Sequence, residues 1–484
     1  MSDTPSDALI AQSGARWLGL SQLLTQILRI VVYVLLARLL KPEDFGLLAM
    51  AVVVTSFLEI FRDFGTRTAI VQRKSVDQKF LSSLFIFNLC LGIFLTLATV
   101  TGAPLAALAF DNPDVIDVLR WVSLSILIAS IGLTYQGMLY RQLRFRALSL
   151  IQVVSALSHA LVSIGLAAMG FGVWALVAGI LASTLATTTT SAVLSDYRPH
   201  LYYSSGDIRS VLNFSANLSA SQLFGFLIHN ADKFVIGRLL GAAPLGFYNL
   251  AQRMVSHPVV AFGQVTHNVL FPSLARRQDN NPALRRAVLR SVCALGAVTF
   301  PAMLGLSSVA ETFVVVVLGP EWSPAIIVIA ILAPTWAALT ISDTVLLVYK
   351  AKGRTDLLLI WTIVSGSMTV CAYLIGVRWG LPGVAIAYGC AALLIVPLSL
   401  VYPLRMIEMS FRAFLRPMIP FVVCSIFMYL FVTLTQLLAA GVALSPVAVL
   451  SISVPIGVVA YAIPMLVWRP PVVADILRTA GFKR

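Results

Sequence analysis

The chain has 484 residues, 59% of them hydrophobic and only 11% charged, and carries a formal net charge of +14. A soluble domain has about 25% charged residues, so this chain cannot cover a water-facing surface. Disorder, coiled coil and disulfide scaffold are excluded with it. Cys90, Cys293, Cys371, Cys390 and Cys424 all lie in apolar runs without a CxxC pair, so they read as small core residues rather than metal ligands.

In chain order, residues 1–13 form a tail holding Asp3 and Asp7, which is not the basic start of a cleaved signal. Fourteen apolar segments follow, near 14–37, 46–62, 80–103, 118–139, 147–168, 171–193, 211–237, 245–271, 288–310, 323–348, 357–377, 382–403, 414–436 and 447–468. Each approaches the roughly 20 residues that cross a bilayer as a helix. Turn signals such as Lys41-Pro42-Glu43-Asp44, Asp111-Asn112-Pro113-Asp114 and Gly319-Pro320 separate them. With the N-terminus inside and loops assigned alternately, 26 of the 34 basic residues fall on the cytoplasmic side and 5 outside. That asymmetry is the positive-inside pattern, and it predicts two cytoplasmic termini. It also explains the net charge without nucleic acid. Trp17, Trp121, Trp322, Trp379 and Trp468 lie near span ends and fit an interfacial aromatic belt. No loop exceeds about 20 residues, which leaves no room for a soluble catalytic domain.

An internal repeat organises the spans. At an offset of 200, residues 18–71 and 218–271 share eleven identities, among them Ser21-Gln22-Leu23, Arg38-Leu39-Leu40, Gly46 and Thr66. Tyr140-Arg141 aligns with Tyr349-Lys350 at an offset of 209, and Gly172-Val173 with Gly383-Val384 at 211. The expected architecture is therefore all-α and membrane-integral, with about 14 transmembrane helices. Two six-helix lobes, 14–193 and 211–403, are joined by a cytoplasmic linker at 194–210. Two further helices at 404–468 and a tail at 469–484 complete it. Six is even, so the lobes should be related by a pseudo-two-fold along the membrane normal.

The stretch Ala37-Arg38-Leu39-Leu40-Lys41-Pro42-Glu43-Asp44-Phe45-Gly46, then Asp63-Phe64-Gly65 and Ala69-Ile70-Val71-Gln72-Arg73, resembles the N-terminal signature of bacterial polysaccharide flippases. These belong to the multidrug/oligosaccharidyl-lipid/polysaccharide exporter superfamily, and the resemblance extends over essentially the whole chain. It implies a transporter, not an enzyme. Such a protein moves undecaprenyl-diphosphate-linked oligosaccharide from the cytoplasmic to the periplasmic leaflet of the inner membrane. A polymerase and co-polymerase are implied partners beside membrane lipids, and no cofactor or metal is implied.

Ionisable groups inside spans are functional candidates by default. In the first span Gln22, Gln26, Arg29 and Tyr33 recur at helical spacing as one polar stripe. The seventh span carries Asn217, Gln222, His229, Asp232 and Lys233, and the eighth Arg253 and His257. The functional reading is a hydrated cavity lined by spans 1, 2, 7 and 8. There Arg29, Lys233 and Arg253 would hold a diphosphate, while amides and Tyr33 meet sugar hydroxyls. The structural reading is interhelical glue. Glu59, Asp232 and a buried Asp343 are candidate ion-coupling carboxylates, although Glu59 with Arg62 and Asp232 with Lys233 could equally be structural pairs. Two other transporters share the lobe plan: a peptidoglycan-precursor flippase and a drug/cation antiporter. The antiporter would want an acidic cavity. A polysaccharide polymerase or ligase would want a sizeable external loop.

Overall fold

In the computed structural model, residues 5–63, 65–73, 75–441 and 444–468 are described; the side chains at 5–18, 20, 23, 210, 213–222, 224, 260–262, 264–269, 272, 273 and 440 are not. Among the described residues there is no strand. Among them, fourteen helices of 22 or more residues follow the order of the fourteen apolar segments. They are α1 (Pro5–Leu39), α2 (Pro42–Asp63), α3 (Gln78–Phe110), α4 (Val115–Arg141), α5 (Phe145–Ala168), α6 (Val173–Leu194) and α7 (Ser205–Leu240). They continue as α8 (Ala242–Ala275), α9 (Asn281–Ser308), α10 (Ala325–Ala351), α11 (Thr355–Gly376), α12 (Gly380–Met406), α13 (Ile419–Gly441) and α14 (Pro446–Trp468). Among the described residues, ten stretches are long and apolar enough to cross a membrane, one of them holding both α11 and α12. The protein is a multi-pass all-α membrane protein.

Polar side chains close the helix starts. Asp77 accepts the Phe80 N–H at 3.1 Å, Asn280 that of Ala283 at 3.0 Å, and Ser410 that of Ala413 at 3.2 Å. Each satisfies an amide that the first turn leaves without a partner. At the other end of α3, Asp111 adopts φ 54° and stops the helix. Arg238 then donates to Leu108 O at 2.8 Å, so this part of the Arg-Leu-Leu signature caps a helix end.

The chain divides into two compact units, up to Asn249 and from Leu250. In the first, α3 packs on α4, α5 on α6, α1 on α5, and α4 on α6, while α7 lies against α2 and α3. A seven-residue helix, Thr66–Gln72, follows the left-handed Gly65 (φ 69°) and packs on α4. In the second, α10 packs on α9 and α12, α11 on α12, and α13 on α9 and α14. Its core joins Leu270 and Leu274 of α8 to Leu284, Val288, Val345, Leu404 and Phe421.

Within the first unit the repeat leaves a direct mark. A Cβ placed on Gly46 would lie 1.8 Å from Ala242 O, and one on Gly246 would lie 1.9 Å from Pro42 O. The partners differ by the same 200 residues as the glycines. Such a reciprocal contact relates the starts of α2 and α8 by a local two-fold, and only glycine admits backbones this close.

Two expectations need correction. Trp322 is fully buried rather than exposed at a span end, in the short helical turns that run from Ala310 to Trp322 between α9 and α10. Trp121, Trp379 and Trp468 are exposed as a belt requires, and the Trp17 side chain lies outside the described ones. Asp343 is exposed rather than buried. Its neighbours Ser342 and Thr344 occupy the packed face of α10, which turns position 343 outward.

Candidate functional site

The polar stripe of α1 exists as a surface feature. Ser21, Thr25, Val32 and Leu36 are buried on the side of α1 that packs on α5. Gln22 and Arg29 are exposed and Gln26 and Tyr33 half-buried on the neighbouring face. Thr25 donates to Ser21 O at 2.8 Å and so serves its own helix. Arg29 makes no ion pair among the described residues. A cation held at the surface of a span, flanked by amides, needs an anion or water beside it.

On α7 the Lys233 ammonium donates to Asn230 Oδ1 at 3.0 Å. Asp232, buried, accepts the Lys233 backbone N–H at 2.8 Å. His229 is exposed and its Nδ1 lies 2.7 Å from Gly225 O. Asn217 and Gln222 lie outside the described side chains. Arg253 and His257 on α8 are half-buried. They belong to the second unit, whereas Arg29 and Lys233 belong to the first. Glu59 is paired with Arg62 at 3.3 Å, as the structural reading allowed.

The structure also assembles a cavity that the sequence did not announce. Glu59 and Arg62 of α2, Arg67 of the short helix, Ser125, Ala129, Leu133 and Gln136 of α4, and Ser183, Thr184, Thr187 and Thr188 of α6 line a space of about 240 Å³. The only readable signal was the run Ser183, Thr184, Thr187, Thr188, two hydroxyl pairs at i, i+4 on one side of α6. Arg67 and Gln136 come from separate segments and meet only in the fold, where Arg67 Nη2 donates to Gln136 Oε1 at 3.4 Å.

Basic residues at and beyond the helix ends make structural contacts. Arg141 donates to Ile70 O at 2.7 Å and to Arg73 O at 2.6 Å, closing the end of the short helix. Arg144 donates to Leu194 O at 2.9 Å and meets Asp196 at 3.0 Å. Between α6 and α7, burial pushes the Tyr197 phenol above its ordinary pKa, among the rings of Phe85 and Tyr135. Among the described residues no cluster of His, Cys, Asp and Glu could hold a metal.

A family model described as polysaccharide biosynthesis protein matches residues 35–327. The chain belongs to that family. It is 26% identical over 370 residues to the lipopolysaccharide biosynthesis protein WzxC of Escherichia coli (strain K12), covering 75% of this chain and 74% of that protein. It is 29% identical over 366 residues to the teichuronic acid biosynthesis protein TuaB of Bacillus subtilis (strain 168), covering 74% of each. With the succinoglycan biosynthesis transport protein ExoT of Rhizobium meliloti (strain 1021) the identity is 27%, covering 74% of this chain and 73% of the relative. Its fold is similar to that of the lipid II flippase MurJ in an inward closed conformation, with TM-score 0.77 and 15% identity over 93% of this chain and 98% of that one. An inward-facing multidrug MATE transporter gives TM-score 0.65 at 16% identity, over 81% and 98%.

Proposed function

We propose that this protein is a transporter that flips an undecaprenyl-diphosphate-linked oligosaccharide from the cytoplasmic to the periplasmic leaflet of the bacterial inner membrane by alternating access. The observation that carries the reading is the exposed Arg29, on one face with Gln22 and Gln26, on a membrane helix of a polysaccharide-biosynthesis family member. The cargo's diphosphate must cross about 30 Å of hydrocarbon. Unshielded, it faces a Born cost on the order of tens of kcal/mol. Fixed cations in a hydrated cavity remove most of that cost, and a small number of them still permits release. Arg29 and Lys233 form the principal clamp, one from each repeat. The reciprocal glycines of α2 and α8 support a two-fold relation of the six-helix repeats, and the 26-to-5 distribution of basic residues supports two cytoplasmic termini. The polymerase and co-polymerase that extend the sugar chain are the expected partners. Family membership favours this cargo over a peptidoglycan precursor.

The test is export in cells. Arg29→Ala abolishes surface polysaccharide at wild-type protein level and accumulates lipid-linked units on the inner leaflet. Arg29→Lys retains part of the activity, because charge matters more here than fork geometry. Normal polysaccharide from Arg29→Ala overturns the clamp.

A further inference from the structure

We propose that the cavity between α2, α4 and α6 is a second, separate site that binds a phosphate-class oxyanion. Two guanidinium groups line it. Arg62 Nη1 is held by Glu59 Oε1 at 3.3 Å, and Arg67 Nη2 by Gln136 Oε1 at 3.4 Å. The Arg67 guanidinium also sits 5.6 Å from the centroid of the Tyr140 ring. Both groups are therefore oriented, yet each keeps a buried Nε–H with no partner among the described residues. Buried donors of charged groups are normally satisfied, so the arginines of this lining carry more donor capacity than Glu59 and Gln136 take up.

The remaining chemistry selects that occupant. Among the described residues of the lining Glu59 is the one carboxylate, against two cations. Asp63 is engaged elsewhere, accepting from Thr66 Oγ1 and from the Arg67 backbone N–H, each at 3.3 Å. Thr184 and Thr187 donate to carbonyls of their own helix at 2.8 Å, so their protons are already engaged. Ser125 makes no hydrogen bond among the described residues and faces the cavity with its donor available. A donor-rich, net positive space suits an acceptor-only ligand with several oxygens. Among the described residues no aromatic ring lines it to stack on a sugar. At about 240 Å³ it lies below the roughly 300–1,000 Å³ of drug-sized pockets. It suits a phosphate or the phosphate end of a lipid rather than an oligosaccharide. Nor does the fold demand the polarity. Ser125 and Gln136 align at offset 209 with Pro334 and Val345, and Thr184 and Thr187 at offset 211 with Ile395 and Leu398.

The experiment uses the full chain in nanodiscs of zwitterionic lipid, titrated with inorganic phosphate in a calorimeter. One saturable site is expected. Arg67→Gln and Arg62→Gln should each weaken binding well over tenfold, and Ser125→Ala about tenfold, as the loss of one hydrogen bond to a charged group does. If Arg62→Gln does not fold, Arg67→Gln and Ser125→Ala decide the matter. Displacement of phosphate by a polyprenyl diphosphate added to the disc supports a lipid-headgroup site. Saturable phosphate binding that the lipid leaves untouched supports a free-anion site. Absence of saturable binding by either ligand overturns the proposal. So does undiminished binding in Arg67→Gln, or equally effective competition by chloride. The readout is binding rather than export, and Arg67→Gln leaves Arg29 in place, so failure here and failure of the Arg29 test are distinguishable.

Discussion

The two copies of the repeat agree at one place and diverge at another. They agree where α2 and α8 begin, at Gly46 and Gly246, each facing the backbone of the other helix. They diverge on the seam between the fourth and sixth helices of each copy. In the first unit the α4–α6 seam holds the polar cavity with Arg62, Arg67 and Gln136. In the second, a cavity of about 680 Å³ beside α10 and α12 is lined by Ala330, Ile331, Pro334, Ala338, Leu393 and Val396, among others. Ser125 and Ala129 correspond to Pro334 and Ala338, so the two spaces overlap on the fourth helix of each copy. One helical frame thus carries opposite linings. Backbone packing fixes the glycines, whereas the polarity of the seam is chosen separately.

The largest effect is expected where the copies agree. In Gly46→Val and in Gly246→Val the new side chain meets carbonyl oxygens at 1.8 and 1.9 Å. The clashing atoms are backbone and cannot swing away, so each change costs about 3 kcal/mol or more, the upper end for overpacking. Thermal unfolding in detergent should show both variants destabilised alike. If one is tolerated, the reciprocal contact is not a two-fold feature.

Next come swaps across the seam. Val345 is fully buried, packed in the core of the second unit. Val345→Gln, giving this copy the residue of its counterpart, buries an amide without a partner and should cost about 2–3 kcal/mol. The reverse change, Gln136→Val, removes the acceptor of Arg67 but leaves a half-exposed site, and should cost about 1 kcal/mol. Equal losses in the two denaturation curves would show that the seams do not differ in polarity.

The helices were readable because each is a long apolar run bounded by turn residues and basic loops. Their ends were less readable: α7 starts at Ser205, where the first apolar residues were placed at 211. Helix continues through polar residues once a cap such as Ser204 sets its start, since Ser204 accepts the Asp207 N–H at 3.4 Å. The helix Thr66–Gln72 was hidden because Arg67 and the flanking Arg73 read only as loop charge. The α1 stripe was legible because it lies on one element with one period. The α2–α4–α6 cavity was not, because Arg67, Gln136 and Thr187 each look ordinary in their own segments and only long-range packing joins them. Asp343 shows the opposite error: a lone carboxylate in an apolar run says nothing about which way the helix turns it.

The smallest effect tests the one hydroxyl that the two seams share. Thr188 aligns with Ser399 at offset 211, and both link the sixth helix of their copy to the fourth. Thr188 donates to Ile128 O at 2.9 Å, and Ser399 pairs with the buried Ser342 hydroxyl. Interhelical hydrogen bonds in membrane proteins average about 0.6 kcal/mol, because the unfolded helices also find partners in the bilayer. Thr188→Val and Ser399→Ala should therefore each lower stability by about that amount, and the double variant by about twice as much, since the two sites share no partner. Thr184→Val removes a hydroxyl that serves only its own helix, donating to Ile180 O at 2.8 Å, and should cost less than Thr188→Val. Steric-trap or denaturant unfolding in bicelles resolves differences of this size. If Thr184→Val costs as much as Thr188→Val, the cross-helix bond adds nothing, and the shared hydroxyl is a coincidence of composition rather than a seam device common to both copies.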